Sequence, residues 1–452
     1  VVVGAKISWL PSLLFLVAAV GIAELPANAL ALETSPSLHE GVASCSSSTC
    51  HGRQYPNTHG VRQNEISTWQ DPSLPAGAHS RAWRVLGEAR AKGIAARLGL
   101  GSAQTAPMCI GCHVEPAVER GPRFQESDGV GCEACHGASS AWLASHGGLR
   151  ATHASNVKNG MAALEIPKVR AEICLDCHFG SDKPDQFVSH RMMAAGHPPI
   201  AFEVDWYSET QRHYDLNADY AARKPIAGDV RFWAVGQSLA LERALTLYSG
   251  KRGIQGGLFP EFYFFDCQTC HRRAVSNTGD ALLRAVPNPE RPIPLGTPSF
   301  NDSNMIMLVA AVRSAIPDSS PKFDGQIRAF HAAMAQGRES AVRAAGRLAA
   351  TAHELSDSFA MHDFSRGEVL SILDQLVSSS ASARYTDWSE GEQVYYGICD
   401  LESQLQQKGY SCEADPALSQ MLKTLDDPNL YNAAEFHNSL LRVAASVRGL
   451  HQ

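Results

Sequence analysis

Beyond residue 31 this chain has no apolar run long enough to cross a bilayer. The best stretch, MIMLVAAV at 305–312, is too short and runs into Arg313. Strong charge is lacking too. Lysine and arginine number 39 against 46 aspartates and glutamates, a formal net charge of −7 over 452 residues. A mildly acidic chain is not built to hold nucleic acid, and it accommodates a basic protein partner. Cysteine is scarce outside one pattern: of 12 cysteines, all but Cys399 and Cys412 belong to it.

That pattern is a cysteine pair followed at once by histidine. It occurs as CxxCH at Cys109–His113, Cys132–His136, Cys174–His178 and Cys267–His271, with Cys112, Cys135, Cys177 and Cys270 as the second cysteines. A looser copy, CSSSTCH, joins Cys45, Cys50 and His51. CxxCH is the attachment motif of c-type haem. Two thiols add to the two vinyl groups on one porphyrin edge, and the next residue reaches the iron with a neutral imidazole nitrogen. Zinc sites and redox dithiols also use CxxC, but need no histidine directly after it. With 18 histidines in 452 residues, five such placements by chance are on the order of one in ten million. The expected cofactors are therefore five covalently bound haem c groups. Their propionates would make the loaded protein more acidic.

The N-terminal segment fits that chemistry, since haem is attached to such motifs outside the cytoplasm. Lys6 precedes the apolar ISWLPSLLFLVAAVGIA, and small residues at Ala27-Asn28-Ala29 and Ala29-Leu30-Ala31 read as cleavage sites. Residues 1–31 are expected to be a signal peptide and the protein periplasmic or otherwise exported. The alternative is an uncleaved anchor, for which the run is short. No stable membrane span is expected after cleavage.

All five motifs lie between residues 45 and 271. The expected organisation is a pentahaem cytochrome domain over 32–300 and a helical bundle over 301–452, mainly α throughout. Short helices, such as 80–98 and 233–248, with long loops would wrap the haems, whose flat apolar faces replace much of an ordinary core. The proline-rich Asn288–Pro298 reads as a linker or covering loop. Further on, Asp324 precedes a run with Ile327, Phe330, His331 and Met334 on one face. Ser365–Glu368 is a capping box before Val369, Ile372, Leu373 and Leu376, and Asp387–Glu390 is a looser one before Val394, Ile398 and Leu401. A last helix carries Phe436, Leu440 and Val443. Such a bundle can cap the haem region or mediate homo-oligomerisation.

Each iron has a sixth position. Among histidines outside the motifs, His59, His79, His146, His153, His190, His197 and His213 lie in the haem region. A lone histidine is more often an ordinary surface or core side chain, but five irons in need of partners change that balance. Met192 and Met193 are thioether alternatives, although methionines in an apolar stretch are more often core. Two histidines on one iron give lower potentials than histidine with methionine.

These motifs, in this order, resemble the multihaem cytochromes of the cytochrome c554 type, structurally akin to hydroxylamine oxidoreductase and pentahaem nitrite reductase. The similarity is strongest to a group of exported cytochrome c family proteins. It is carried by CSSSTCHG, Trp69, the His79-Ser80-Arg81-Ala82-Trp83 segment, CIGCH, GVGCEACHG with His146 after it, RAEICLDCH leading to His190, AGHPPIAFE with His197, WAVGQ at 233–237 and FPEFYFFDCQTCH. It covers about residues 41–275; the C-terminal helices resemble the group only loosely. The resemblance implies distal ligands at His79, His146, His190 and His197, with His213 as the fifth and His59 ranked below it. The chain departs from the group at His271-Arg272-Arg273, where a second histidine often follows the motif.

Two function classes follow. One is an electron carrier with closely packed, mostly bis-histidine haems. Its expected partners are redox proteins, either other cytochromes or a quinol-linked membrane complex. The other is a multihaem oxidoreductase with one open iron acting on nitrite, hydroxylamine or a sulfur oxyanion. The sequence lacks the CxxCK motif of the catalytic haem in pentahaem nitrite reductases and has enough histidines to close every iron, which favours the carrier. A structural, filament-forming cytochrome is a third class. The two remaining cysteines, Cys399 and Cys412, suit a disulfide in an exported protein. A helix continuing to Lys408 would carry Cys399 roughly 13 Å away. The bridge therefore requires the helix to end near Gln404–Gln407, or a tight fold-back at Gly409.

Overall fold

Two helix starts in the C-terminal third follow directly from their side chains. Glu368 N–H donates to Ser365 Oγ at 3.3 Å, and Ser365 N–H donates back to the Glu368 carboxylate at 2.7 Å. At Asp387 the reciprocal pair is Ser389 N–H to the Asp387 carboxylate, 3.1 Å, and Asp387 N–H to Glu390, 3.0 Å. Each box satisfies donors that a helix start leaves unpaired. The helices they open, Arg366–Leu376 and Trp388–Leu405, bury the apolar positions expected of them. The computed structural model describes residues 37–271, 293, 297–378, 385–406 and 411–451. The expected signal peptide and most of Asn288–Pro298 lie outside the described residues.

Among the described residues the chain is helical, with two isolated β-bridges, His39 with Arg120 and Phe265 with Phe300. The apolar run at 305–312 is the middle of helix Ser303–Ala315, buried from Ser303 to Val312. A helix apolar on all sides needs protein on all sides. It is enclosed by Asp229–Ser249, Ser320–Met334, Arg366–Leu376 and Trp388–Leu405. Helix Ser320–Met334 starts one turn before Asp324, on Pro321, whose missing N–H costs nothing in a first turn.

Two elements of the haem region depart from expectation. Residues 80–98 are not one helix. The chain makes a 3₁₀ turn at His79–Arg81 and a short helix Ala82–Val85, then restarts as Ala89–Leu98 after Gly87 and an extended Glu88. The second element, expected over 233–248, is the 21-residue helix Asp229–Ser249. It is no wrapping element: Trp233, Leu241, Leu245 and Tyr248 are fully buried. It packs along Arg338–Ala360 on one side and Pro167–His178 on another. Each such side chain withdrawn from water contributes about 1.5–3 kcal/mol. Buried amides tie the layers: Gln237 donates to Gln393 and Asn304 donates to Gln237, both at 2.7 Å.

Ala171, Leu175 and Phe187 belong to the main core, but around residues 86–103 and 188–195 the apolar clusters are small. One holds Ile94, Leu98, Val188, Met192 and Ala195; another holds Leu86, Ala95 and Ala103. Met192 is thus a core side chain here. Clusters of this size are what a region organised around cofactors leaves to its own side chains.

At the N-terminal edge, His39 Nδ1 lies 2.6 Å from Glu115 Oε1. Glu133 lies alongside, its carboxylate accepting from the backbone N–H groups of Glu40, Gly41 and Ser139 at 2.6–2.9 Å. The Glu115 hydrogen bond raises the His39 pKa, burial opposes it, and the charges of Glu115 and Glu133 reinforce it. A raised folded-state pKa gives stability that is complete below the unfolded value of about 6.5 and lost as pH rises through the folded value. His39→Gln should therefore cost more stability at pH 6 than at pH 8.5, read from denaturation midpoints. An equal cost at both would mean that His39 is not charged.

Helix Trp388–Leu405 ends before Gly409, and the Cys399–Cys412 disulfide is present with a Cα–Cα distance of 5.4 Å. The early stop is what the covalent geometry requires. It closes a short loop onto the turn preceding helix Pro416–Lys423. Replacing both cysteines by serine should lower stability by about 2–4 kcal/mol in guanidinium unfolding, without changing the haem spectrum.

Candidate haem-binding sites

In every motif the cysteines lie on one local turn and the histidine ends it. Cys109–His113 closes helix Pro107–His113, and Cys174–His178 closes Pro167–His178. Cys132–His136 and Cys267–His271 are single turns, with His136 N–H and His271 N–H bonded to the first cysteine's carbonyl at 3.0 and 2.8 Å. The loose copy turns through Ser47 and Thr49 but closes likewise, His51 N–H reaching the Cys45 carbonyl at 3.2 Å. None of the ten motif cysteines is in a disulfide.

Four motif histidines each face one histidine from a distant segment. His51 faces His146 with ring centroids 6.1 Å apart, and His178 faces His79 at 5.9 Å. His136 faces His213 at 6.2 Å, and His271 faces His190 at 6.1 Å. The last motif histidine, His113, is close enough to His197 to lower its pKa, after burial. A metal held about 2 Å from each imidazole nitrogen, with each ring centre about 1 Å further back, sets centroids roughly 6 Å apart. The donor spacing and chemistry therefore fit an iron shared by two imidazoles. His59 is exposed and His153 pairs with Glu165 at 2.6 Å; neither faces a motif histidine in these pairs.

The imidazoles are also oriented. His51 Nδ1 meets Glu65 at 2.9 Å, His113 Nδ1 the Ala82 carbonyl at 2.8 Å, and His197 Nδ1 the Pro198 carbonyl at 2.8 Å. His146 Nδ1 lies 3.0 Å from the Asn156 amide. Gln211 serves two rings: its side-chain oxygen meets His79 Nδ1 at 3.1 Å and its carbonyl meets His213 Nδ1 at 2.9 Å. Where Nδ1–H donates to an oxygen, Nε2 is left for a metal and the ring angle is fixed; at His146 the Asn156 amide donates to Nδ1 instead. Sequence reasoning missed Glu65, Asn156 and Gln211. Gln211 stands two residues before His213, but nothing in the sequence ties it to His79.

Burial, helped by neighbouring histidines, pushes His136 and His178 down to about 3. It lowers His79, His113, His146, His197 and His213 as well. These rings are neutral at physiological pH, the form that ligates iron. His51 alone of the oriented set is raised, by its hydrogen bond to Glu65.

Backbone contacts hold the region together. Gly129, at φ +73°, brings its loop against His79: an added Cβ would lie 2.5 Å from the His79 carbonyl oxygen. The next residue, Val130, donates to that oxygen at 3.0 Å and accepts from the Trp69 indole at 3.2 Å. The Trp69, His79 and GVGCEACHG segments are thus joined directly. Thiols of different motifs also meet. Cys45 lies by Cys132, Cys112 by Cys177, and Cys135 by Cys174 and Cys177.

No curated protein and no solved structure matches the chain. Residues 44–137 match the family model of cytochrome c554 and c-prime, a span that holds the first three motifs and His79. Over these residues the chain is similar to that family, which supports a c-type cytochrome with bound haem c.

Proposed function

We propose that the protein is an exported pentahaem cytochrome that carries electrons along closely packed bis-histidine haems. The observation that carries this reading is the facing of histidine pairs at 5.9–6.2 Å. A second imidazole faces four of the five motif histidines, where it would take the position a substrate would need. His51, His113, His136, His178 and His271 would hold the irons on one side, and His146, His197, His213, His79 and His190 on the other. When bound, the haems supply reversible one-electron chemistry. The chain's own residues fix ring angles, exclude water and set the spacing.

The thiol contacts support a continuous route. The first motif touches the third, the third lies by the fourth, and the fourth touches the second. Val188 and Met192, flanking His190, pack with Met108 beside the second motif, which supports a fifth haem next to the second. Cys50 and Cys270, at the two ends of that order, are exposed. They mark where a redox partner, such as another cytochrome or a quinol-linked complex, would exchange electrons. Among the described residues no helix is long and apolar enough to cross a membrane.

The intact mass of the purified protein should exceed that of its polypeptide by five haems; an excess of four would remove Cys45 and Cys50 from the set. In electron paramagnetic resonance the oxidised protein should be low-spin throughout. His79→Ala should turn one haem high-spin, and an unchanged spectrum would exclude His79 as a ligand.

A further inference from the structure

Helix Trp388–Leu405 lies outside the matched residues, yet it backs one of the haem sites. Phe202 stacks on the His178 ring at 4.5 Å, and Tyr207 lies beside the same ring at 6.1 Å. The helix grips this segment from behind. Gln393 donates to the Phe202 carbonyl at 2.9 Å, and Trp206 stacks on Tyr396 at 5.5 Å. The rings of Tyr207 and Tyr396 are 5.8 Å apart and their side chains are hydrogen-bonded. Tyr396 also hydrogen-bonds Glu392, one helical turn earlier. Glu392, Tyr396 and Tyr207 thus form an unbroken chain from a buried carboxyl to a ring beside His178. Next to it, Glu203 and Asp400, 1% and 4% exposed, are hydrogen-bonded to each other. Burial raises the Glu203 pKa, and the Asp400 hydrogen bond opposes it.

We propose that Glu392 binds a proton from solvent when an electron reaches the haem that His178 would hold, so that the protein takes up protons with electrons. This rests on the haem reading above. The electron comes from the redox partner and the proton from solvent; the only bond formed is the carboxyl O–H, and none breaks. The added negative charge opposes a second one at Glu392 in a medium that screens poorly. Burial already pushes this carboxyl up to about 7, so both forms are accessible near neutral pH. Burial likewise raises Tyr396 and Tyr207, which stay protonated as links. The Tyr396 hydrogen bond opposes that rise, and further titratable groups stand on the packed elements. Glu203, Asp205 and Tyr207 come from the facing segment. Tyr395, Tyr396, Asp400 and Glu402 come from the same helix, and Glu413 from the turn beyond it.

Potentiometric titration of the holoprotein from pH 6 to 8.5 tests this. One haem's midpoint should fall as pH rises, because losing the proton disfavours reduction, with a limit of ~59 mV per pH unit for a one-electron couple. Glu392→Gln should flatten that slope, while Asp400→Asn should leave it. A slope lost in Asp400→Asn and kept in Glu392→Gln would overturn the assignment. The unmodified protein gives an independent reading: a protonated-carboxyl band should appear in its reduced-minus-oxidised infrared spectrum and shift in D₂O. Its absence would overturn the proposal whatever the variants do. Haem content of the same samples separates the two readings. Five haems with a flat pH profile would overturn the proton coupling alone, and a missing haem at the Cys174–His178 motif would overturn the reading beneath it.

Discussion

Imidazoles brought within 5.9–6.2 Å of each other, one from a motif and one from far along the chain, are the constraint on which the rest depends. The motif half is local: a turn of backbone places two sulfurs and a histidine together. The facing half is not, because His146, His213, His79 and His190 reach their partners only through folding. Ring positions must hold to fractions of an ångström if a metal is to bridge them. Hydrogen bonds from Nδ1 to Glu65, Gln211 and two backbone carbonyls, and from the Asn156 amide to His146 Nδ1, supply that precision.

The helices beyond residue 300 serve the same end by different physics. Their core is ordinary, built from leucine, valine, phenylalanine and alanine. Helix Asp229–Ser249 carries that core back to Pro167–His178, so the fourth motif histidine ends a helix anchored in the bundle. Further towards the N-terminus the protein's own apolar clusters are thin. A rigid aliphatic body holds one end of a region whose remaining order must come from cofactors, thiols and oriented histidines.

Much of this was legible in the sequence. The five motifs named the cofactor chemistry, and the capping boxes at Ser365 and Asp387 fixed two helix starts because their physics is confined to four residues. The Cys399–Cys412 bridge set a condition on where a helix must stop, and the helix stops there. The distal set was read partly from resemblance, with His213 ranked above His59; the structure puts His213 opposite His136 and leaves His59 exposed. Less visible were the break at Gly87-Glu88, inside a stretch of good helix formers, and the central role of Asp229–Ser249. Its polar Gln237 and Ser238 look like a solvent face until Gln393 and Asn304 are brought to meet them.

Local covalent spacing and local helix chemistry act between near neighbours, so the sequence by itself determined the motif turns, the helical class and the helix caps. Which histidine faces which motif, which thiols touch, and how Gln211 spans two rings were decided only by tertiary structure. So was the meeting of Glu392, through two tyrosines, with the surroundings of His178. Such contacts join residues whose separation along the chain carries no periodic signal; they arise from packing.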